Sequence, residues 1–356
     1  MDSISTHSAA DPFLGISQLL EVTRVFGMLH KEGWTSQRSV VFALWDGEEQ
    51  GILGSTEWVE ENMAALRSRA VIYIGTKMLT GDKFHPMSSP AVSASVRGAA
   101  SLVPHYKKKG KTLLDMWAAD SEVEKNSKNR PMTWPVMGRS DDAPFAFSAG
   151  VPTAFLMFLY RHNITNLYPA YHTAYDTLEL VEKYLDPKFR VSRMSVQLIA
   201  SLVRLWADRR LLPYELRELA FHVRTGLDTF IIRHGSDIAT HNLDMSAPLK
   251  AARYLSEITE GFMEWTMRIR RLNPLKIRIA NDIMMEVEKL FINPGGIPTR
   301  DPTLRNLVFA PEGVLFPGIE DAITKRPFNA DAFGLQTALL TEVICHAAQH
   351  LVVSPL

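Results

Sequence analysis

The first two hundred residues alternate between helical and strand-like spacing of apolar positions. Apolar residues recur at helical spacing over 14–32 and over about 54–68, which predicts two helices. Continuous apolar runs at 39–45, 70–74 and 152–158 predict strands, and the first, bounded by polar residues, is typical of a strand buried on both faces. Strands that alternate with helices predict an α/β layered fold.

The pattern changes near Pro187, after which it is helical almost throughout. The amphipathic runs cover 187–209, 214–233, 247–272, 275–291 and 332–353. Prolines and glycines separate these runs, as expected for the turns of a helix bundle. We place a domain boundary in the turn 209–213, which gives an α/β domain over 1–209 and an all-α domain over 210–356.

Composition narrows the classes of function. The 356 residues are 46% hydrophobic and 22% charged, which is ordinary for a soluble globular protein with more than one core. Lys+Arg and Asp+Glu number 39 each, so there is no electrostatic reason to expect nucleic acid as a partner. No apolar run reaches the roughly 18 residues of a membrane span, and the first ten residues do not resemble a signal peptide. The sequence does not assign a compartment.

Two adjacent carboxylates follow the first predicted strand, in the sequence Trp45-Asp46-Gly47-Glu48-Glu49. Open α/β sheets bind ligands at the ends of their strands. Adjacent carboxylates repel each other, so a cation stabilises the pair. A metal would use one Glu as a ligand and leave the other as a general base. A solvated acidic turn has the same pattern, and the pattern taken alone favours that alternative.

Three further candidates are weaker when each is taken alone. His172, between Tyr171 and Thr173, could be a zinc ligand as neutral imidazole, although a lone His is more often a packed or surface residue. Asp11 and Asp142 precede helical patterns and also fit plain helix starts. No G-x-S-x-G motif occurs, so the sequence gives no support for a serine hydrolase. No H-E-x-x-H or C-x-x-C motif occurs either.

Longer segments resemble a known family. They are 33–62 (GWTSQRSVVFALWDGEEQGILGSTEWVEEN), 168–187 (YPAYHTAYDTLELVEKYLDP), 280–294 (ANDIMMEVEKLFINP) and 316–319 (FPGI). In this order they resemble the glutamate carboxypeptidase II and transferrin receptor-like family of zinc exopeptidases, also known as N-acetylated alpha-linked acidic dipeptidase-like proteins. The resemblance implies a mixed-sheet zinc aminopeptidase-like core with helices on both faces, followed by a helical-bundle domain that forms homodimers.

The resemblance also implies a site with two zinc ions bridged by an Asp. Asp11 matches the bridging ligand, and Glu49 and His172 match two ligands of one zinc. Glu48 matches the general base, and Tyr171 matches a tyrosine that supports the developing oxyanion. A family Asp near the site matches Asp142.

The ligands of the other zinc depart from the family pattern. Asp2 would match the last residue of an H-x-D motif whose His would precede Met1, so we expect the chain to be truncated at its N-terminus relative to the family. Lys77 stands where the family has an Asp. A positive charge about 4 Å from a divalent ion costs about 8 kcal/mol at an effective dielectric constant of 20. Our hypothesis is that the Lys77 ammonium replaces the second zinc; the alternatives are a deprotonated or a solvent-facing Lys77.

The sequence therefore predicts a zinc-dependent carboxypeptidase- or dipeptidase-like homologue that hydrolyses peptides with metal-activated water but is impaired or inactive, a pseudoenzyme candidate. It would bind one zinc ion rather than two. The alternative is a non-catalytic dimeric receptor-like or scaffold protein derived from the peptidase fold. A gene prediction that starts too late in an active enzyme would explain the missing His but would not explain Lys77.

Overall fold

The computed structural model describes residues 7–77, 80–120, 130–160, 168–269 and 273–352. Its α/β part contains α1 (Gly15–Lys31), α2 (Leu53–Glu61), α3 (Met63–Arg69), β1 (Tyr73–Thr76), β2 (Lys83–Phe84), β3 (Met87–Ser88), α4 (Ser93–Leu102), α5 (Leu113–Ala118), β4 (Thr153–Leu156), β5 (Phe158–Leu159) and α6 (Leu178–Leu180). The helical part contains α7 (Arg190–Asp208), α8 (Leu216–Arg233), α9 (Gly235–Thr240), α10 (Ser246–Ile269), α11 (Pro274–Glu286), α12 (Pro317–Thr324) and α13 (Ala330–His350). The fold is mixed α/β, with small sheets and many helices.

Strand β4 is the centre of a three-stranded sheet with the order β1-β4-β3. It pairs in parallel with β1, with Tyr73 opposite Thr153, and antiparallel with β3, with Met87 opposite Phe155. All four residues of β4 are buried, as expected for a central strand covered on both faces. Strands β2 and β5 form a separate antiparallel pair. Lys77 directly follows the last residue of β1, so the pairing of β1 with β4 positions Lys77 at the candidate site.

The predicted strand over 39–45 is wrong. No described strand pairs with these residues, and they have no regular secondary structure. Val41 is 76% exposed and Leu44 is 52% exposed, whereas Val40 and Phe42 pack against the core. The segment therefore buries one side only. An apolar run predicts burial on both faces only when neighbouring strands and two covering layers are present.

Other boundaries in the α/β part shift by a few residues. The helix predicted over 14–32 is confirmed as α1. The helix predicted over 54–68 is two helices, because the chain leaves helical geometry at Asn62, with φ −104° and ψ 12°. The Asn62 side chain donates to the carbonyl of Trp58 at 2.9 Å, a local bond that competes with helix continuation. Strand β1 begins at Tyr73, three residues later than the predicted 70–74 segment, and it ends at Thr76, directly before Lys77.

The helical pattern after residue 187 is confirmed as α7, α8, α10, α11 and α13, although residues 270–272 and 353 of two predicted runs lie outside the described residues. Helix α7 packs on α1 and α4, whereas α8 and α13 pack on α10. Asn281 in α11 ties down the turn between α7 and α8: its Oδ1 accepts from Leu212 N at 2.8 Å, and its Nδ2 donates to Arg210 O at 2.7 Å. No described helix has the length and apolar character that a membrane span requires.

Candidate metal centre

The loop that carries Glu48 and Glu49 is folded tightly against the start of α2. Gly54 N donates to Asp46 O at 2.9 Å, and Ile52 N donates to Glu48 O at 2.8 Å. A Cβ atom at Gly54 would lie 2.4 Å from Asp46 O, so only glycine permits this approach. The loop therefore has a fixed geometry, which holds the two adjacent carboxylates at one end of the sheet.

Lys77 enters the same place from the end of β1. Its Nζ lies 2.9 and 3.0 Å from the two carboxylate oxygens of Glu48. It also lies 3.6 Å from Oε1 of Glu49 and 3.9 Å from Oδ2 of Asp11. The side chain is only 17% exposed, so it faces the carboxylates and not the solvent. Burial lowers the pKa of Lys77, but the carboxylates of Asp11 and Glu48 together outweigh it and raise that pKa above its ordinary value.

Asp11, Glu49 and His172 converge on one point. One possible ligand atom from each lies within 4.8 Å of the others, and His172 Nε2 is 2.9 Å from Glu49 Oε1. Asp11 Oδ2 is buried and has no hydrogen-bond partner in the described part of the chain. Burial raises the pKa of Asp11 to about 6, although Lys77 acts in the opposite direction. A buried carboxylate oxygen without a donor, next to a second carboxylate and an imidazole, is a donor set that suits zinc.

Asp176 positions both sides of this cluster, and the sequence interpretation missed it. Its carboxylate accepts from Ala10 N at 2.8 Å, from Asp11 N at 3.3 Å and from the Tyr168 hydroxyl at 2.6 Å. Asp176 is 1% exposed. One buried carboxylate therefore fixes the segment that carries Asp11 to the segment that carries His172. The only sequence signal was its place within the 168–187 segment, four residues after His172.

His172 lies in a tight turn with a left-handed backbone, with φ +57°. Tyr171 N donates to Tyr168 O at 3.1 Å, and Thr173 N donates to Ala170 O at 3.0 Å, so consecutive turns hold this conformation. A non-glycine residue at positive φ costs roughly 1 kcal/mol or more and persists only where its surroundings require it. Here the turn directs the imidazole at Glu49.

Tyr171 stacks on the His172 ring, with centroids 3.7 Å apart and planes at 21°. Burial raises the pKa of Tyr171 to about 12, with Lys77 acting against it and Asp11 adding to it. The phenol is therefore protonated at neutral pH. Its place beside the cluster leaves it able to act as a hydrogen-bond donor there.

Asp142 does not belong to the three-residue cluster, although its carboxyl group interacts electrostatically with Glu48. It is 2% exposed, and burial raises its pKa to about 7. Its backbone carbonyl accepts from Ala146 N at 3.0 Å, which agrees with the helix-start alternative. The preceding Asp141 accepts from Ser55 Oγ of α2 at 2.7 Å. Asp141 therefore fixes the first turn of α2, the helix that follows the Glu48–Glu49 loop. Asp2 lies outside the described residues.

The comparisons with known proteins identify a family for each part of the chain. Residues 1–190 match the family described as Peptidase family M28, and residues 243–352 match the transferrin receptor-like dimerisation domain. The chain is 28% identical over 335 residues to a Rattus norvegicus protein named aminopeptidase NAALADL1, covering 90% of this chain and 44% of that protein.

Two further relatives have similar identities. The chain is 29% identical over 327 residues to an Arabidopsis thaliana protein named probable glutamate carboxypeptidase LAMP1, covering 89% of this chain and 45% of that protein. It is 29% identical over 361 residues to a Caenorhabditis elegans protein named glutamate carboxypeptidase 2 homolog, covering 93% of this chain and 46% of that protein. The chain thus spans about half the length of the relatives that it matches.

Proposed function

The chain belongs to peptidase family M28 and carries a transferrin receptor-like dimerisation domain, and we propose that it is a zinc exopeptidase homologue whose peptide hydrolysis is impaired by Lys77. M28 membership and the peptidase names of the relatives support the metallo-exopeptidase class. The observation that carries the impairment is the contact of the Lys77 ammonium with both carboxylate oxygens of Glu48, at 2.9 and 3.0 Å.

The metal site in this proposal takes one zinc ion, held by Asp11, Glu49 and His172. The buried Oδ2 of Asp11 supports it: this oxygen accepts no hydrogen bond from the described residues and has only the Lys77 ammonium 3.9 Å away, and a bound cation supplies the direct partner that it lacks. The zinc would supply a Lewis acid that polarises the carbonyl of a peptide bond. A second divalent ion would meet the Lys77 ammonium at the position where the family resemblance places an Asp ligand, so it would lose a ligand and be repelled by a like charge. The ammonium supplies the second positive charge instead.

Glu48 is the residue that the family resemblance assigns as the general base. A general base must have a free carboxylate oxygen within hydrogen-bond reach of the proton that it accepts. Here both oxygens of Glu48 contact the Lys77 ammonium, at 2.9 and 3.0 Å, so the ammonium occupies the place where Glu48 would accept that proton. Tyr171 keeps its proton and can still donate to a developing oxyanion. The proposed defect is thus in proton transfer, while peptide binding and oxyanion stabilisation remain.

The domain arrangement is part of the same proposal. We assign residues 1–209 to a mixed-sheet zinc aminopeptidase-like core and 210–356 to a helical bundle that pairs two chains. The packing of α7 on α1 and α4, and of α8 on α10, supports a boundary between α7 and α8. Sedimentation velocity tests the homodimer: a single species at about twice the 40.0 kDa chain mass is expected, and a monomer at micromolar concentration would contradict it.

A second candidate is a non-catalytic dimeric binding protein. The same Lys77–Glu48 contact favours it, since a site without a free base can keep its ligands and lose its chemistry. The two candidates differ in whether any hydrolysis remains. A protein without measurable turnover that still binds peptides at the cluster would fit the second.

The deciding experiment compares the wild-type chain with Lys77→Asp for zinc content and for hydrolysis of dipeptides and N-acetylated dipeptides. The control is Lys111→Asp, which makes the same charge change on an exposed loop residue. We expect about one zinc per wild-type chain and at least about tenfold faster hydrolysis in Lys77→Asp only. Two zinc ions per wild-type chain, with hydrolysis that Lys77→Asp does not improve, would sink the proposal.

A further inference from the structure

A cavity lies between helix α8, the loop 132–136 and the loop 306–316, and it is separate from the metal centre. Its volume is about 570 Å³, within the range of small-molecule sites. None of the residues of the candidate metal centre lines it. The lining includes the aromatic side chains of Trp134, Phe147, Phe309 and Phe316 and, among its titratable side chains, His222 and Glu288. Apolar walls with a few polar groups are typical of pockets that bind small ligands.

Glu288 is the unusual group in this lining. It follows α11 at the start of the short helical turn Glu288–Phe291, and it is 4% exposed. Ser89 hydrogen-bonds to its side chain, but Oε1 has no hydrogen-bond partner among the described residues. Leaving a buried acceptor without a donor costs about 1–3 kcal/mol, and more for a charged group. A donor from a ligand in the cavity would remove that cost.

The other charged groups around the cavity already have partners. Glu320 accepts from His234 Nε2 at 3.1 Å, and its carboxylate lies 3.8 Å from Arg233. Glu312 accepts from Arg139 at 2.6 Å. His222 has a lowered pKa because it is buried, so at neutral pH it is an uncharged ring. The unmatched acidic group of the cavity is therefore Glu288, and its ionised form, which predominates above about pH 7, selects against anionic ligands.

The walls are held in place without a ligand. A Cβ atom at Gly226 would lie 2.6 Å from the Leu315 side chain, so α8 and the loop 306–316 are in close contact. A Cβ atom at Gly313 would lie 3.0 Å from the ring of Pro135, so the two loops are also in close contact. Asn306 Oδ1 accepts from Val308 N at 3.0 Å and fixes the start of the loop. A preformed cavity loses little conformational entropy on binding.

We propose that this cavity binds a small molecule that carries a protonated amine on an aromatic or aliphatic body. The ammonium donates to the Glu288 carboxylate, and the body packs on Phe147 and Phe309. The carboxylate gains the donor that the chain does not provide, and a charge-assisted bond of this kind is about twice as strong as a neutral one. The aromatic rings exclude water from around it, which strengthens the attraction.

The test titrates benzylamine, in its ammonium form, into the full chain by isothermal calorimetry, with benzyl alcohol as an uncharged probe of similar shape. A dissociation constant at or below about 1 mM is expected for the amine, and binding at least about tenfold weaker for the alcohol. Glu288→Gln keeps the side-chain volume and removes the charge, so it should weaken amine binding at least about tenfold. The matched control Glu264→Gln, at an exposed carboxylate outside the cavity lining, should leave amine binding within about twofold.

A second variant tests the same cavity if the Glu288→Gln protein does not fold. Thr225→Trp on α8 fills the cavity from a side that does not contain Glu288, and it should abolish amine binding while the helical circular dichroism is retained. Equal affinity for the amine and the alcohol would overturn the proposal. So would no binding of the amine to the wild-type chain, or unchanged binding to a folded Glu288→Gln or Thr225→Trp variant.

Discussion

The ammonium of Lys77 lies 2.9 and 3.0 Å from the two carboxylate oxygens of Glu48, and the two residues are 29 positions apart in the sequence. Lys77 follows strand β1, whereas Glu48 precedes helix α2. Both side chains are largely buried, at 17% and 8% exposed, so solvent screens their attraction only weakly. This pair gives the site a fixed cation of its own and engages the carboxylate that the family resemblance assigns as the general base.

Removing that cation should strengthen zinc binding. In Lys77→Ala the carboxylates of Asp11 and Glu49 lose their ion pairs with the ammonium, so their full negative charge is available to zinc. The repulsion between the ammonium and zinc also disappears. We expect zinc affinity to rise at least about tenfold, measured by competition with a chelator of known affinity. Lys111→Ala, an exposed Lys in an i,i+4 pair, is the control and should not change the affinity. Equal affinities for Lys77→Ala and the wild type would mean that the ammonium does not act on the metal.

Removing the imidazole should weaken zinc binding. His172 is the nitrogen donor among the three clustered residues, and its Nε2 lies 2.9 Å from Glu49 Oε1. Loss of a direct ligand should cost at least the 10- to 100-fold that outer-shell changes cost, so His172→Ala should bind zinc about 100-fold more weakly or worse. The readout is the same chelator competition. His105→Ala, on a distant loop, is the matched control, and a similar loss in that variant would point to non-specific binding.

Asp176 should contribute strongly to the stability of the fold. Asp176→Ala leaves three buried donors, Ala10 N, Asp11 N and the Tyr168 hydroxyl, without their acceptor. We expect the free energy of unfolding to fall by about 3 kcal/mol or more, measured by chemical denaturation. The control Asp282→Ala removes an exposed carboxylate that pairs with Arg278, and it should change the free energy of unfolding by less than about 0.5 kcal/mol. A similarly small effect at Asp176 would show that its bonds are replaced by water.

Glu288 should make the fold less stable as pH rises. Burial raises its pKa from 4.5 to about 7 in the folded chain, with Ser89 acting in the opposite direction, so the folded state binds the proton more tightly than the unfolded state. The stabilising contribution is complete below about pH 4.5 and is lost as pH rises through about 7, a change of about 3 kcal/mol. Tyr214, a titratable group that interacts with Glu288, has a pKa raised by burial and stays neutral over this range.

The comparison of Glu288→Gln with the wild type isolates this effect, because Asp11 and Asp142 titrate in the same window in both proteins. The free energy of unfolding of the variant, minus that of the wild type, should increase by about 3 kcal/mol between pH 4.5 and 8. Urea denaturation at a series of pH values measures it. A difference that does not change with pH would mean that Glu288 is ionised in the folded state at all of these pH values.

The prediction of a strand over 39–45 shows where apolar runs mislead. The run is apolar enough for a strand buried on both faces, yet Val41 and Leu44 are exposed and no described strand pairs with the segment. A strand depends on hydrogen bonds to residues far away in the sequence, so a local pattern indicates the tendency and not the partner. The helix break at Asn62 has a local cause instead. The Asn62 side chain donates to the carbonyl of Trp58, and the apolar spacing used to predict the helix does not include such a bond.

The sequence by itself determined the elements whose forces are local. The amphipathic spacing of α1, α7, α8, α10 and α13 fixed these helices, because the bonds of a helix close within four residues. The sequence also named Asp11, Glu48, Glu49, Lys77 and His172 as candidates. Only the tertiary structure decided that Lys77 faces Glu48, that Asp176 holds the Asp11 segment from 165 residues away, and that Glu288 lines a cavity. These relationships depend on which distant segments pack together and exclude water, and no pattern along the chain contains that information.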